Sequence, residues 1–157
     1  MTAYEFFIAV HVIAVLVAYG LPLAYPLMLP WLRTHHPRSM PGVHAVQHRL
    51  NKLLTGPGTL LVLGAGIYLA SKADAWDEAY VGAGFLAVIF IGMVGGWVVG
   101  TTDKLSELAA ADVAAAGPDG PVAWSAEHEA LYRRYARVEQ LLGLVVVATV
   151  FVMAVKP

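Results

Sequence analysis

Apolar and polar positions along this chain fall into long blocks. Residues 6–32, 53–70, 79–102 and 141–155 contain no Asp, Glu, Lys or Arg. A helix rises 1.5 Å per residue, so about 20 apolar residues cross a roughly 30 Å hydrocarbon core. The first three blocks meet that length, and the fourth does so by recruiting Val138, Glu139 and Gln140. The blocks predict an all-α polytopic membrane protein, a bundle of four transmembrane helices forming one domain over residues 1–157. Its helices are expected at about 4–32, 45–71, 77–115 and 126–155.

The charges between the blocks give an orientation. With four crossings, Arg33, Arg38, Arg49, Lys52, Lys104, Arg133, Arg134 and Arg137 lie on one side, and only Lys72 and Lys156 on the other. The positive-inside rule then puts both termini outside. The short segment 71–78, with Asp74, Trp76, Asp77 and Glu78, suits an acidic outer turn with an aromatic belt.

The polar segments also extend the helices. Residues 101–116 are rich in Ala and Leu, and Gly117, Pro118, Gly120 and Pro121 end that run; Ser125 is a suitable N-cap with Glu127 and Glu129 in the first turn. An antiparallel pair over 101–116 and 126–138 should therefore protrude on the cytoplasmic side. His35, His36, Pro37, Pro41 and Gly42 break the chain before a helix that starts in water at Val43 and enters the membrane near Lys52. Arg49 and Lys52 precede Gly58 by the offsets at which Arg134 and Arg137 precede Gly143, a two-plus-two similarity that the charge rule alone can produce.

Composition narrows the classes further. Hydrophobic residues make up 59% of the chain and the mean hydropathy is +0.66. The absence of Cys excludes disulfides, thiolate metal sites and cysteine nucleophiles. A net charge of -1, sorted by membrane side, offers nothing for nucleic acid. The first block lacks a basic leading region and is too long for a cleaved signal, so it is expected in the mature protein. No phosphate-binding Gly loop, catalytic carboxylate pair, nucleophile elbow or zinc-protease spacing occurs, so a hydrolase has no support.

The chemistry concentrates on His11, an ionisable side chain about six residues, or roughly 10 Å, inside the first helix. Ionisable groups at such depth are functional candidates by default. A neutral imidazole can ligate haem iron or another metal, relay protons, or bond a neighbouring helix. Gly64, Gly66, Ala83, Gly84 and Thr149 fall at the same depth, leaving space either for a flat cofactor or for a closely packed backbone. No second axial ligand stands out, since Met93 lies deeper and Met153 nearer the surface.

Other residues suggest packing or lipid contact. Gly92, Gly96 and Gly100 repeat at i+4 and form a smooth helix face, inside the bundle or between the copies of a homodimer. Pro22, Pro26 and Pro30 should bend the first helix, and Pro57 the second. His44, His48, Arg49, Lys52, Arg134 and Arg137 form an inner basic collar suited to lipid phosphate, with Glu139 as counter-charge to Arg137, Lys52 or Arg49. His44 and His48 are also one turn apart, a spacing that could bind a metal. The collar lies about 20 Å from His11, too far for one haem to touch both.

The run over residues 6–22, FFIAVHVIAVLVAYGLP, resembles the first helix of a broad set of small four-helix bacterial membrane proteins. That set includes uncharacterised predicted integral membrane proteins, HemJ-type protoporphyrinogen oxidases and the membrane domain of CopD-type copper proteins. The shared features are an early His, here His11, then aliphatics and a Gly, here Gly20; Arg49, the Thr55-Gly56-Pro57-Gly58 bend and residues 64–69 add to the likeness. The resemblance implies a bacterial inner-membrane protein with His11 as a haem b ligand, serving membrane redox or porphyrin chemistry. HemJ-type proteins carry a Trp near the end of the aliphatic run and an Arg after Leu-Pro, where this chain has Ala18, Tyr19 and Leu23, so the uncharacterised branch is the nearest in pattern. Two expectations stand together: a small membrane protein binding haem b or another ligand through His11, or a channel, transporter or structural homo-oligomer without a cofactor.

Overall fold

The computed structural model describes residues 1–155. It is 86% helical, with no strand among those residues. α1 (Ala3–Tyr19) starts with a reciprocal cap: Glu5 N–H donates to Thr2 Oγ1, and Thr2 N–H donates to the Glu5 carboxylate. The proline repeat breaks the rod where Pro22 and Pro26 withhold their N–H groups, through a single 3-10 turn at Pro22–Ala24. α2 (Tyr25–His35) then follows, with Pro30 inside it, and α1 and α2 together make one candidate crossing.

The second rod begins earlier than the expected position 45. A 3-10 turn (Pro37–Ser39) leads directly into α3 (Met40–Leu50), because Pro37 and Pro41 fall in first turns, where a missing N–H costs nothing. A π-helical turn (Asn51–Thr55) follows, and Pro57 lies just beyond it in α4 (Gly56–Lys72). α5 (Ala79–Ala115) runs unbroken for 37 residues and ends at Gly117, whose φ of 67° is a left-handed conformation that glycine adopts without strain. α6 (Ala126–Val155) is the last helix of the described residues. The four rods, Ala3–His35, Pro37–Lys72, Ala79–Ala115 and Ala126–Val155, are each long and apolar enough to cross a bilayer, which makes this a multi-pass membrane protein.

α1 lies along α4, α3 along α5, α5 along α6, and α2 returns to α6, so the rods close into a four-helix bundle. One end holds the N-terminus, the 73–78 turn and the end of α6. The other gathers the basic segments and is tied by Arg38 Nη2 donating to Gly120 O and Ser106 Oγ donating to Pro41 O. We call these the terminal end and the basic end. Lys156, read above as lying with Lys72, is outside the described residues.

The core divides along the axis. Ala70, Ala75 and Val81 pack at the terminal end, and Ala14, Ala18, Tyr19, Val62, Ile91 and Val146 in the middle. Tyr25, Leu29, Met40, Val98, Leu105, Ala109, Tyr132 and Tyr135 fill the basic end. The expected pair over 101–116 and 126–138 therefore exists, but α2 and α3 also pack against it. Leu16, Leu60, Leu86, Met93 and Leu144 point outward, as aliphatic side chains bathed in hydrocarbon do.

Candidate functional site

Small residues set how α1 meets α4. A Cβ at Gly58 would stand 2.7 Å from Ala18 Cβ, so the helices touch closely there. Two turns further on, Gly66 leaves room for the His11 ring, whose Cε1 would be 3.5 Å from a Cβ. His11 Nδ1 lies 3.1 Å from the Val62 carbonyl oxygen, a bond in which the ring nitrogen must donate. In the neutral ring Nε2 then carries the free lone pair.

The imidazole borders a cavity of about 360 Å³ at the terminal end. Of the residues placed level with His11, this wall holds Gly66, Gly84 and Thr149. Gly64 is exposed, with nothing within 4 Å of where a Cβ would stand, and plays no part. Two residues of helix turn the side-chain direction by about 200°, so Gly64 and Gly66 cannot face one cavity. Thr149 Oγ1 donates to Val145 O, 2.7 Å away, and keeps its lone pairs for the cavity. Met153 also joins the wall: its methyl fills the space Gly84 leaves, 2.1 Å from a hypothetical Cβ. A thioether from α6 and an imidazole from α1 thus share one chamber, whereas Met93 points away from the bundle.

The basic end holds a second constellation that depth counting did not reveal. Arg33, in the last turn of α2, pairs with Glu129, and its guanidinium lies 5.1 Å from the Trp124 ring and 4.4 Å from the Tyr132 ring. Asp112 of α5 accepts from Ser125 N–H, Ser125 Oγ and His128 Nδ1 at 3.1, 3.2 and 2.9 Å. His44 Nδ1 and Gln47 Oε1 are 2.8 Å apart, and Gln47 Nε2 donates to Tyr135 Oη at 3.1 Å. The Tyr135 hydroxyl is in turn hydrogen-bonded to the Glu139 carboxylate. The rings of His44, His128 and Tyr132 stand 6.4 Å from one another.

His44, Asp112 and His128 lie beyond the uncharged blocks that cross the bilayer. Burial pushes the His44 pKa down to about 4, against a smaller upward pull from Gln47. Burial also lowers His128, with the Asp112 hydrogen bond acting against it. Both rings are thus held neutral, each with Nδ1 tied to a neighbouring side chain.

One face of α6 carries this chemistry: His128, Tyr132, Tyr135 and Glu139 follow at four, three and four residues, and all are buried. That spacing was the available signal. Buried polar atoms without a protein partner among the described residues are Tyr25 Oη, Arg33 Nε, His44 Nε2, Asn51 Nδ2, His128 Nε2 and Tyr132 Oη, all in this half of the bundle.

The collar is placed differently from its expected role. Arg49, Lys52, Arg134 and Arg137 are exposed around the outside, Arg134 with its guanidinium 5.2 Å from the Trp97 ring. Among the described residues, no Lys or Arg lies within ion-pair distance of Glu139, which is 4% exposed. His48 Nδ1 meets Val99 O at 3.0 Å and His44 meets Gln47, so the two histidines serve different neighbours. Gly92, Gly96 and Gly100 are exposed with nothing within 4 Å of a Cβ, so no helix among the described residues packs closely on them, and Gly92 and Gly96 border a cavity of about 380 Å³. Comparisons with protein-family models, curated proteins and solved structures find no match to this chain.

Proposed function

We propose that this protein of the bacterial inner membrane, with both termini outside, binds a small flat or apolar ligand in the outer half of its bundle, anchored by His11. The observation carrying the reading is the state of that imidazole. Val62 fixes one ring nitrogen, Gly66 seats the ring, and the other nitrogen is left for a ligand in a mostly apolar chamber of about 360 Å³. That volume falls within the roughly 300–1,000 Å³ of ligand sites in general.

Haem b, the cofactor implied by the resemblance, fits the donor set. Metal-bound histidines usually give their second ring N–H to a carbonyl or carboxylate, the arrangement His11 has with Val62. His11 would hold the iron, Gly66 and Gly84 would border the macrocycle, and Met153 offers a soft donor in the same wall. Among the described residues the wall contains no Lys or Arg, so the haem carboxylates would leave through the mouth of the chamber. A bound haem would supply one-electron chemistry.

Protein purified after expression with ample haem should show a Soret band that His11→Ala abolishes and Met93→Leu preserves. Colourless protein overturns the haem reading. Native mass spectrometry then tests the broader one: a co-purifying small molecule lost in His11→Ala sustains it, and protein free of any such molecule removes it. Orientation is checked by labelling Asp74→Cys and Asp119→Cys separately in the otherwise Cys-free chain; reaction of both from one face of the membrane would overturn it.

A further inference from the structure

The chamber beside His11 is the first of three cavities that share walls along the bundle. Tyr19, Ile91 and Val146 border both it and a middle cavity of about 380 Å³. Glu139 borders both the middle cavity and a third, of about 410 Å³, at the basic end. Each is far larger than the roughly 15 Å³ needed to hold one water.

Polar groups follow the same route. Tyr19 Oη donates to Thr59 Oγ1 at 2.9 Å, and Thr59 donates to Thr55 O at 2.7 Å. Asn51, 4% exposed, borders the middle cavity with an unpartnered amide nitrogen. Glu139 follows, hydrogen-bonded to Tyr135, and then the unpartnered Tyr25 Oη, Tyr132 Oη and Arg33 Nε in the wall of the basic-end cavity. Tyr25 is 1% exposed, so its hydroxyl is buried without a protein partner.

The backbone departs from an ordinary helix at this place. Pro57 cannot donate to the carbonyl four residues before it, and the chain answers with the π turn Asn51–Thr55, in which Gly56 N–H reaches Asn51 O. Such turns recur at functional sites. Here the turn sets Asn51 into the middle cavity and brings Thr55 Oγ1 to Ala18 O, 3.1 Å away.

We propose that the bundle conducts protons between its two ends through these cavities, with Glu139 as the exchanging carboxyl between the middle and basic-end chambers. A carboxylate buried without a cation at ion-pair range carries a large desolvation cost, and a proton is the smallest charge that removes it. Lys52 shares the middle wall, but at longer range. Protons need only hydrogen-bonding groups and water a few ångströms apart. A metal cation would need a shell of oxygen ligands that these largely apolar walls do not supply. The inference does not depend on ligand binding at His11.

The test uses the full chain in phosphatidylcholine and phosphatidylglycerol vesicles, with pyranine trapped inside and a valinomycin-clamped potassium gradient as driving force. Wild-type protein should carry protons at least about tenfold faster than empty vesicles, and Glu139→Gln and Asn51→Leu should each remove at least about tenfold of that flux, while exposed Glu107→Gln leaves it unchanged. Circular dichroism and a monodisperse elution profile identify the folded variants, and Thr59→Val replaces either that fails. Wild-type flux equal to empty vesicles overturns the proposal. So does a folded Glu139→Gln that conducts like wild type. His11→Ala losing a bound ligand while proton flux persists would separate the two sites.

Discussion

The two halves of the bundle are built on different rules. Toward the terminal end the buried positions are small, Ala14, Ala18, Ala65 and Ala70 among them, and large aliphatics such as Leu60 and Leu86 face outward. At the basic end the fully buried side chains are large and often polar: Tyr25, Tyr135, Met40, His44, His128 and Gln47. Hydrocarbon chains solvate a leucine as well as a protein core does, so within lipid helices gain by close approach of small residues. Beyond the lipid, water restores the drive to bury rings, and their polar atoms must then be paired. The first rule leaves a chamber around His11; the second gives a packed network with a few polar atoms left over.

Substitutions can break that contrast. Tyr135→Ala should cost about 3–5 kcal/mol in a reversible denaturation measurement in detergent, the range for deleting a large buried ring, whereas Leu86→Ala, at a residue 71% exposed, should stay within about 0.5 kcal/mol. Equal losses would erase the distinction between the halves. Glycines sharpen it within the lipid half. Gly58→Ala presses on the Ala18 backbone, 3.3 Å from Cα, and should cost about 1–3 kcal/mol, while Gly64→Ala, with open space around it, should be neutral or slightly stabilising. A harmless Gly58→Ala would mean that α1 and α4 are not in tight contact.

Acid should act on the buried histidines of the basic end. His44 and His128 have folded pKa values below the ordinary histidine value, so the unfolded chain takes up protons first as pH falls. Their contribution is complete above about pH 6.5 and is lost progressively toward about pH 4, where His44 itself titrates. The melting temperature should therefore drop between about pH 7 and about pH 5, and His44→Leu should flatten the decline. A pH dependence of the melting temperature that His44→Leu leaves unchanged would show that the His44 ring is not held neutral.

Four charge-free blocks and the sorting of Arg and Lys were enough to foresee four long helices, because bilayer thickness leaves a crossing segment little freedom. Counting depth from a helix end also brought His11, Gly66, Gly84 and Thr149 together. It could not separate Gly64 from Gly66, since depth changes by 1.5 Å per residue while direction changes by about 100°. The basic network was hidden for a related reason. Attention to charge selects the exposed Arg and Lys collar, whereas the buried face of α6 is written in His128, Tyr132, Tyr135 and Glu139, whose partners arrive from α2, α3 and α5. Nor did the Thr-Gly-Pro-Gly motif, read as a kink, announce that the backbone would change register before the proline.

α5 carries Gly84 at one extremity and Asp112 near the other, with neither proline nor break between them. At 1.5 Å per residue its 37 residues make a strut of about 55 Å, nearly twice the thickness of the hydrocarbon it crosses. The cavity wall at Gly84 and the Asp112 carboxylate that holds His128 are thus joined by one uninterrupted ladder of backbone hydrogen bonds, and their separation is fixed by a single element.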